Sequence, residues 1–314
     1  MKTTAALLFG LLLPLAPAFA AEPVAFANRD ERLQTLVNDV VKATLTEFAA
    51  RNLQSNQLAV TLVDLRDAKP PKFASYRGGT PIYPASVVKL LYLAAAHRWM
   101  EDAKLKDTPE LRRALRDMIV DSSNDATHYV LDALTDTTSG PELPETEMKS
   151  WGEKRNAVNR YFASLGYTNI NANQKPWNDA PYGRERIWVG KDYGNRNALT
   201  TEATARLLTE MVLGQSISSE RSAQMMKLLA RDPFGKTSDR DDQSHGFTGP
   251  AVPAGGKLFS KAGWTSTTRH DAAYVELVNG QRFVLVTFTT SHAHNREIIP
   301  FVATQVIARF GQSR

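Results

Sequence analysis

Ser86 and Lys89 stand three residues apart in the stretch Tyr83-Pro84-Ala85-Ser86-Val87-Val88-Lys89-Leu90-Leu91-Tyr92. On a helix, residues three apart share a face, so the lysine amine can reach the serine hydroxyl. A serine hydroxyl is a weak nucleophile until an adjacent base takes its proton. Lysine can be that base when burial lowers its pKa. The residues after Lys89 (Leu90, Leu91, Leu93, Ala94, Ala95) are apolar, so the expected helix is buried. A helix N-terminus at the serine adds positive potential where an oxyanion would form. Ordinary residue frequencies supply roughly one Ser-x-x-Lys in a chain of this length, so the pair needs support from elsewhere.

Two further stretches give it. Ser122-Ser123-Asn124 falls between two expected helices. A hydroxyl there can hand a proton to a leaving group, and a side-chain amide can hold a substrate carbonyl. Lys261-Ala262-Gly263-Trp264 ends an expected strand. Its lysine can attract an anion, and Gly263 lets backbone approach closely. The Trp264 N–H, paired with that of Ser86, would make an oxyanion hole. Each of the patterns S-x-x-K, S-x-N and K-x-G occurs once, in that order.

Elements to position them are readable from periodicity. Leu33, Leu36, Val37, Val40, Val41, Leu45 and Phe48 mark a helix between Asp30 and Arg51. Strands are expected over 57–65 and 73–77, leading into the Ser86 helix. From Ser86 to about Gly214 the pattern is mainly helical. Helices are expected from Pro109, from about Ser123, over 151–165, from Thr200 and from Ser219. The stretch from Tyr167 to Leu199 lacks periodicity but is rich in aromatics, which predicts an ordered functional loop. Residues 232–256 read as a polar connection. Strands return at 257–261, 271–278 and 282–290, the last two joined by an Asn279-Gly280 turn. A helix over 298–310 closes the chain. The expected fold class is therefore α/β of the α+β kind. It has an antiparallel sheet built from both ends of the chain and flanked by helices, with an all-helical lobe inserted. The sheet lobe spans about 28–80 and 250–314, and the helical lobe about 81–249.

Residues 1–20 read as a signal peptide. Lys2 gives a basic start, Ala5 to Leu15 an apolar run interrupted by Pro14, and Ala18-Phe19-Ala20 a cleavage site. A periplasmic or secreted protein is expected, with 21–314 as one catalytic domain and no stable membrane insertion. The chain has no cysteine, which excludes disulfides, thiolate chemistry and cysteine-zinc sites. The formal charge of +5 in 314 residues is mild and interspersed, so nucleic-acid binding is not expected. A 42% hydrophobic content suffices for a large core.

Taken together, the three motifs resemble the signature of class A β-lactamases and penicillin-binding proteins. The flanks Ile119-Val120-Asp121-Ser122-Ser123-Asn124-Asp125-Ala126 and Ala198-Leu199-Thr200-Thr201 are similar to that superfamily as well. The resemblance covers nearly the whole mature chain and is closest to the class A β-lactamase-like serine hydrolases. It implies a β-lactamase/transpeptidase-like fold and an acyl-enzyme formed on a β-lactam or a peptidoglycan-like peptide, without a cofactor. Ser86 would be the acylated nucleophile and Lys89 its activating base. Ser122 would carry the proton to the leaving nitrogen, and Asn124 would hold the substrate amide. Lys261 would bind a substrate carboxylate or tune Ser122.

Three departures bear on turnover. Ser123 stands where class A enzymes have aspartate. Ala262 replaces the family's Thr or Ser, whose hydroxyl helps hold a β-lactam carboxylate; Thr265 or Ser266 is the expected compensation, with Arg269 or His270 near the usual arginine. The E-x-x-L-N pattern that supplies the water-activating glutamate is absent. Aligning Asn178 with its asparagine puts Gln174 at the base position. Counting back from Thr200-Thr201 reaches Glu185, the leading substitute, with Asp179 and Asp192 as alternatives. A D,D-peptidase, another peptidoglycan-directed acyl hydrolase, or a slowly turning over penicillin-binding protein is the alternative reading.

Outside the motifs, His292-Ala293-His294 has strand spacing for a metal, but a surface role fits two histidines better. Asp239-Arg240-Asp241-Asp242 reads as a solvated loop. His128 shares a helical face with Asn124 and could line the cleft, though a core or surface role fits a lone histidine better, and Trp177 and Trp188 could contact substrate or pack the long loop.

Overall fold

The computed structural model describes residues 27–66 and 70–311. The expected signal peptide lies outside them. The strands are β1 (Asn28–Arg29), β2 (Leu58–Asp64), β3 (Lys72–Tyr76), β4 (Ala230–Arg231), β5 (Lys257–Trp264), β6 (Thr268–Glu276) and β7 (Arg282–Thr290). The helices are α1 (Glu31–Glu47), α2 (Lys89–Glu101), α3 (Pro109–Ile119), α4 (Asn124–Thr135), α5 (Glu145–Arg155), α6 (Ala157–Ser164), α7 (Gly183–Val189), α8 (Thr201–Val212), α9 (Ser219–Leu229) and α10 (Ile298–Phe310).

The described strands form one sheet in the order β1-β3-β2-β7-β6-β5-β4. Its pairs are antiparallel as expected, except at the edge, where β1 runs parallel to β3. Side chains alternate between faces with period two. Leu58, Val60 and Leu62 of β2 join Phe283 and Leu285 of β7 in a core under α1 and α10. Ala59 and Val63, with Val284, Val286 and Phe288, face the other core, which includes α2, α3, α4 and α8. Both faces are covered, so both parities of each central strand are apolar.

α2 is the axis of the helical part. Leu90 to Ala96 are all buried, with no polar face. A helix apolar all round lies inside a domain, which is what the run after Lys89 predicts. Local caps set the other helices. The Thr108 hydroxyl accepts from the Leu111 N–H, that of Ser123 from Ala126, and that of Thr200 from Ala203.

Two expectations need correction. The helix expected over 151–165 is two helices, broken at Asn156. The long aperiodic stretch contains the short helix α7, too brief to show a period. The polar connection of 232–256 is also ordered. Asp241 pairs with Arg269 and Arg296, which hold its carboxyl down to about 2. Asp242 accepts from the Ser244 N–H and contacts His245 Nδ1 at 2.7 Å.

Candidate active site

Ser86 lies in a 3-10 turn (Ala85–Val88) that runs directly into α2, so α2 itself begins at Lys89 and not at the serine. The residue before it, Ala85, has φ +46°. Ser122, at the turn between α3 and α4, has φ +55°. Non-glycine residues in this region are costly, and such strain concentrates at functional sites.

Lys89 is fully buried, and its described hydrogen bonds run across the cleft. Its Nζ donates to the Ser122 carbonyl at 2.6 Å and to Asn124 Oδ1 at 2.9 Å, with Ser122 Oγ at 3.3 Å. Burial pushes the Lys89 pKa down to about 7. A neutral amine has two N–H groups and one lone pair. The two short bonds take both N–H groups, which leaves the lone pair for a hydroxyl on the same turn.

Ser122 Oγ sits between two lysines. Lys261 Nζ donates to it at 3.0 Å, and also to Gln243 Oε1 and the Ala262 carbonyl, each at 2.6 Å. Lys261 is buried on β5, and burial, followed by the charges of Lys89 and Arg231, lowers its pKa. Because Ser122 Oγ accepts from Lys261 Nζ, its own proton is free to point elsewhere.

β5 passes against the serine turn. A Cβ on Gly263 would lie 2.7 Å from the Ser86 nitrogen and 2.8 Å from both the Pro84 oxygen and the Val87 nitrogen. Only glycine fits that approach. It brings Trp264 next to the Ser86 turn, with its ring 5.5 Å from that of Phe247 and partly exposed. His270, opposite Gly263 on β6, supports the turn from beneath. Its Nδ1 accepts from the Thr289 N–H, so Nε2 carries the proton and donates to the Tyr83 carbonyl at 2.9 Å. Burial lowers the His270 pKa to about 4, which keeps the ring neutral.

The structure therefore brings Ser86, Lys89, Ser122, Asn124, Lys261, Gly263 and Trp264 together. Thr265 is placed differently. Its Oγ1 accepts from the Thr267 and Thr268 N–H groups and contacts both their hydroxyls, closing the β5–β6 turn. It does not replace the hydroxyl missing at Ala262. Arg269 is also turned away, bonded to Asp241 and the Gly246 carbonyl and stacked on Phe247.

Glu185, the leading candidate for activating water, is fully buried in α7. Arg155 holds it in a fork, Nη1 to Oε2 at 2.9 Å and Nη2 to Oε1 at 2.8 Å. Ser139 also donates to Oε1, and Lys175 lies 3.5 Å away. With both oxygens taken by cationic donors inside the lobe, this carboxylate is an anchor for the long loop and not a base. Gln174 is likewise occupied, its Oε1 accepting from the Asn197 N–H. Asp179 and Asp192 are exposed. What faces the cleft is Asn178, whose Oδ1 accepts from Asn124 Nδ2 at 2.8 Å. His128 Nε2 donates to the Pro176 carbonyl at 2.7 Å and its ring packs on Trp177, pinning this loop over α4. Trp188 packs edge-on against Trp151. Sequence reasoning missed Arg155, Gln243 and the position of Asn178, because none lies in a spaced motif.

His292 bonds Gln57 and Asn295, and no group of three or more His, Asp or Glu among the described residues could hold a metal. No helix among them is long and apolar enough to cross a membrane.

A family profile described as the β-lactamase enzyme family matches residues 100–310. No curated protein matches the sequence. Solved structures share the fold at low identity. A β-lactamase from Sphaerobacter thermophilus is 17% identical with a TM-score of 0.63, over 88% of this chain and 98% of that one. PBP-A is 16% identical with a TM-score of 0.61, over 91% and 98%. A variant of a class A β-lactamase representing the last common ancestor of Gram-negative bacteria is 21% identical with a TM-score of 0.62, over 88% and 100%.

Proposed function

The chain belongs to the β-lactamase enzyme family, and we propose that it is an exported serine hydrolase that forms an acyl-enzyme at Ser86 on a β-lactam or a related amide. The observation that carries this reading is Ser122 Oγ held between Lys89 Nζ and Lys261 Nζ, beside the Ser86 turn. Neutral Lys89 takes the Ser86 proton as Oγ attacks the carbonyl carbon. The negative charge on the carbonyl oxygen is met by the Ser86 and Trp264 N–H groups. When the C–N bond breaks, Ser122 gives its proton to the departing nitrogen and is reprotonated by Lys89. The acyl group remains on Ser86 Oγ until water displaces it. Residues 1–20 direct export before this chemistry begins.

The amide of Asn178 opposite Asn124 favours a second reading for the last step. An amide does not take a proton from water at neutral pH, so the acyl-enzyme is long-lived. That behaviour suits a penicillin-binding protein or a D,D-peptidase whose acyl group passes to another acceptor. A solved PBP-A mutant is an acyl-enzyme complex with penicillin G.

Incubation with a chromogenic β-lactam, followed by intact mass and by absorbance, tests both. A stoichiometric adduct that disappears in Ser86→Ala supports acylation at Ser86. Its lifetime separates rapid turnover from a trapped adduct, and D-alanine release from a peptide identifies a peptidase. Absence of both adduct and hydrolysis would sink the β-lactam reading.

A further inference from the structure

Gln243 lies in the polar segment between β4 and β5, and its side chain is buried where the sheet meets the helices. Its Oε1 accepts from Lys261 Nζ at 2.6 Å and from the Ala262 N–H at 3.1 Å. Its Nε2 donates to the Ile119 carbonyl at 3.1 Å and the Val120 carbonyl at 2.8 Å. An amide has two donors and an oxygen with two lone pairs, so the whole group is used. Ile119 ends α3, and Val120 precedes the Ser122 turn by one residue. One side chain therefore ties the strand carrying Lys261 to the turn carrying Ser122. Arg231 runs beside it, its Nη2 donating to the Ile119 carbonyl at 3.0 Å and the Ser260 carbonyl at 2.9 Å.

This arrangement changes what Lys261 can do. An ammonium has three donors. Those of Lys261 go to Gln243 Oε1, the Ala262 carbonyl and Ser122 Oγ. None remains for a substrate anion. Ala262 has no hydroxyl to offer one, and Arg269 is held by Asp241 and Gly246.

We propose that Gln243 is a positioning residue that commits Lys261 to the Ser122 hydroxyl, so that Lys261 orients the proton carrier and does not receive a substrate carboxylate. The proposal rests on the reading of Ser86 as the acylated serine and Ser122 as its proton carrier. The charged groups facing Lys261 are Lys89, Arg231 and Asp271. Burial and the two cations lower the Lys261 pKa, and the Asp271 carboxylate opposes them. The Gln243 oxygen is a neutral acceptor that favours the ammonium, and a bond of this kind to a charged group is worth more than one between neutral partners.

The test uses the full mature chain and two readouts. Lysine-selective NMR titration follows the Lys261 signal, assigned with Lys261→Arg, in the wild type, Gln243→Ala and Gln243→Glu. Acylation by a chromogenic β-lactam is followed against pH in the same proteins. Loss of the acceptor in Gln243→Ala moves the Lys261 midpoint down. The carboxylate in Gln243→Glu moves it up. The alkaline limb of the acylation profile follows in both directions, and the acylation rate of Gln243→Ala falls at least about tenfold per folded molecule. If Gln243→Ala does not fold, the upward shift in Gln243→Glu carries the test. Equal Lys261 midpoints in all variants overturn the proposal, as does a lowered melting temperature with an unchanged rate per folded molecule. Shifted midpoints with no acylation in the wild type leave Gln243 as the positioning residue and overturn the acylation reading instead.

Discussion

Lys89 Nζ lies 2.6 Å from the Ser122 carbonyl, a contact between the start of α2 and the α3–α4 turn, 33 residues apart in the chain. It fixes the amine between the Ser86 turn and the Ser122 hydroxyl, which lies 3.3 Å away. Burial lowers the Lys89 pKa to about 7. The neutral form is the base, so acylation should rise with pH through about 7 and hold until Lys261 loses its proton on the alkaline side. Below that value the ammonium cannot accept the serine proton. The second-order rate of adduct formation against pH checks this. A rate flat from pH 5 to 9 removes Lys89 from the role.

Glu185→Gln separates an anchor from a base. Arg155 and Glu185 are both fully buried and pair with each other. Removing one partner of a buried pair costs about 3 kcal/mol, and Asp132, 3.3 Å from Arg155 Nη2, offsets part of that cost here. The variant should melt markedly lower, while the lifetime of the acyl-enzyme per folded molecule stays as in the wild type. Chemical denaturation and mass spectrometry read the two quantities separately. A hundredfold longer adduct lifetime with intact stability would return Glu185 to catalysis.

Asn178→Glu asks the converse. Its oxygen already meets Asn124 Nδ2 at 2.8 Å, and the residue is exposed enough for water to reach it. A carboxylate there can accept a proton from water where the amide cannot. The adduct should disappear at least about tenfold faster than in the wild type, with adduct formation little changed. An unaltered lifetime would show that the loop does not hold the new carboxylate over the acyl group.

Gly263→Ala would drive a methyl group into backbone at 2.7 Å from the Ser86 nitrogen. Neither the turn nor β5 can yield without moving the other, since the Tyr83 carbonyl is pinned by His270. We expect loss of most acylation, roughly a hundredfold, in a protein that still folds. Adduct formation and circular dichroism together check it. Near-normal acylation would mean that the serine turn is mobile.

His97 carries a stability prediction of its own. Both ring nitrogens are buried without a hydrogen-bond partner, and burial lowers its pKa to about 4. The unfolded histidine therefore takes up a proton first as pH falls from about 6.5 towards 4, and its contribution destabilises the fold across that window. His97→Phe removes both the unpartnered nitrogens and the proton uptake. It should raise stability by about 1 kcal/mol at neutral pH, and by more at pH 5. Urea denaturation at the two pH values tests the difference; a variant less stable at both would show that the ring has a polar partner.

Much of the fold is written in local pattern. The near-continuous apolar run from Leu58 to Val63 marks a strand covered on both faces, and β7 and α10 have the bounds that their residues suggest. The run after Lys89 announces a helix with no exposed face. Where the reading slipped, the cause was also local. α7 is seven residues long, less than the span over which a helical period can be recognised. Asn156 interrupts one apolar pattern that continues across two helices.

The site divides in the same way. Sequence by itself singled out Ser86, Lys89, Ser122, Asn124, Lys261 and Gly263 as one proposed site, because each stands at a spacing or turn that such chemistry requires, and the fold brings them to one place. Tertiary structure decided the direction and partners of the remaining side chains. Glu185 meets Arg155 across 30 residues, Gln243 meets Val120 across 123, and Arg269 meets Asp241 across 28. None of these separations has a period. A buried charge or amide takes whatever partner the packed lobes bring within about 3 Å, and its cost of desolvation makes that choice binding. The residues of the proposed acylation site could therefore be singled out from order and spacing, while the burial of Glu185 against Arg155 and the engagement of Lys261 by Gln243 emerged only when the lobes closed around them.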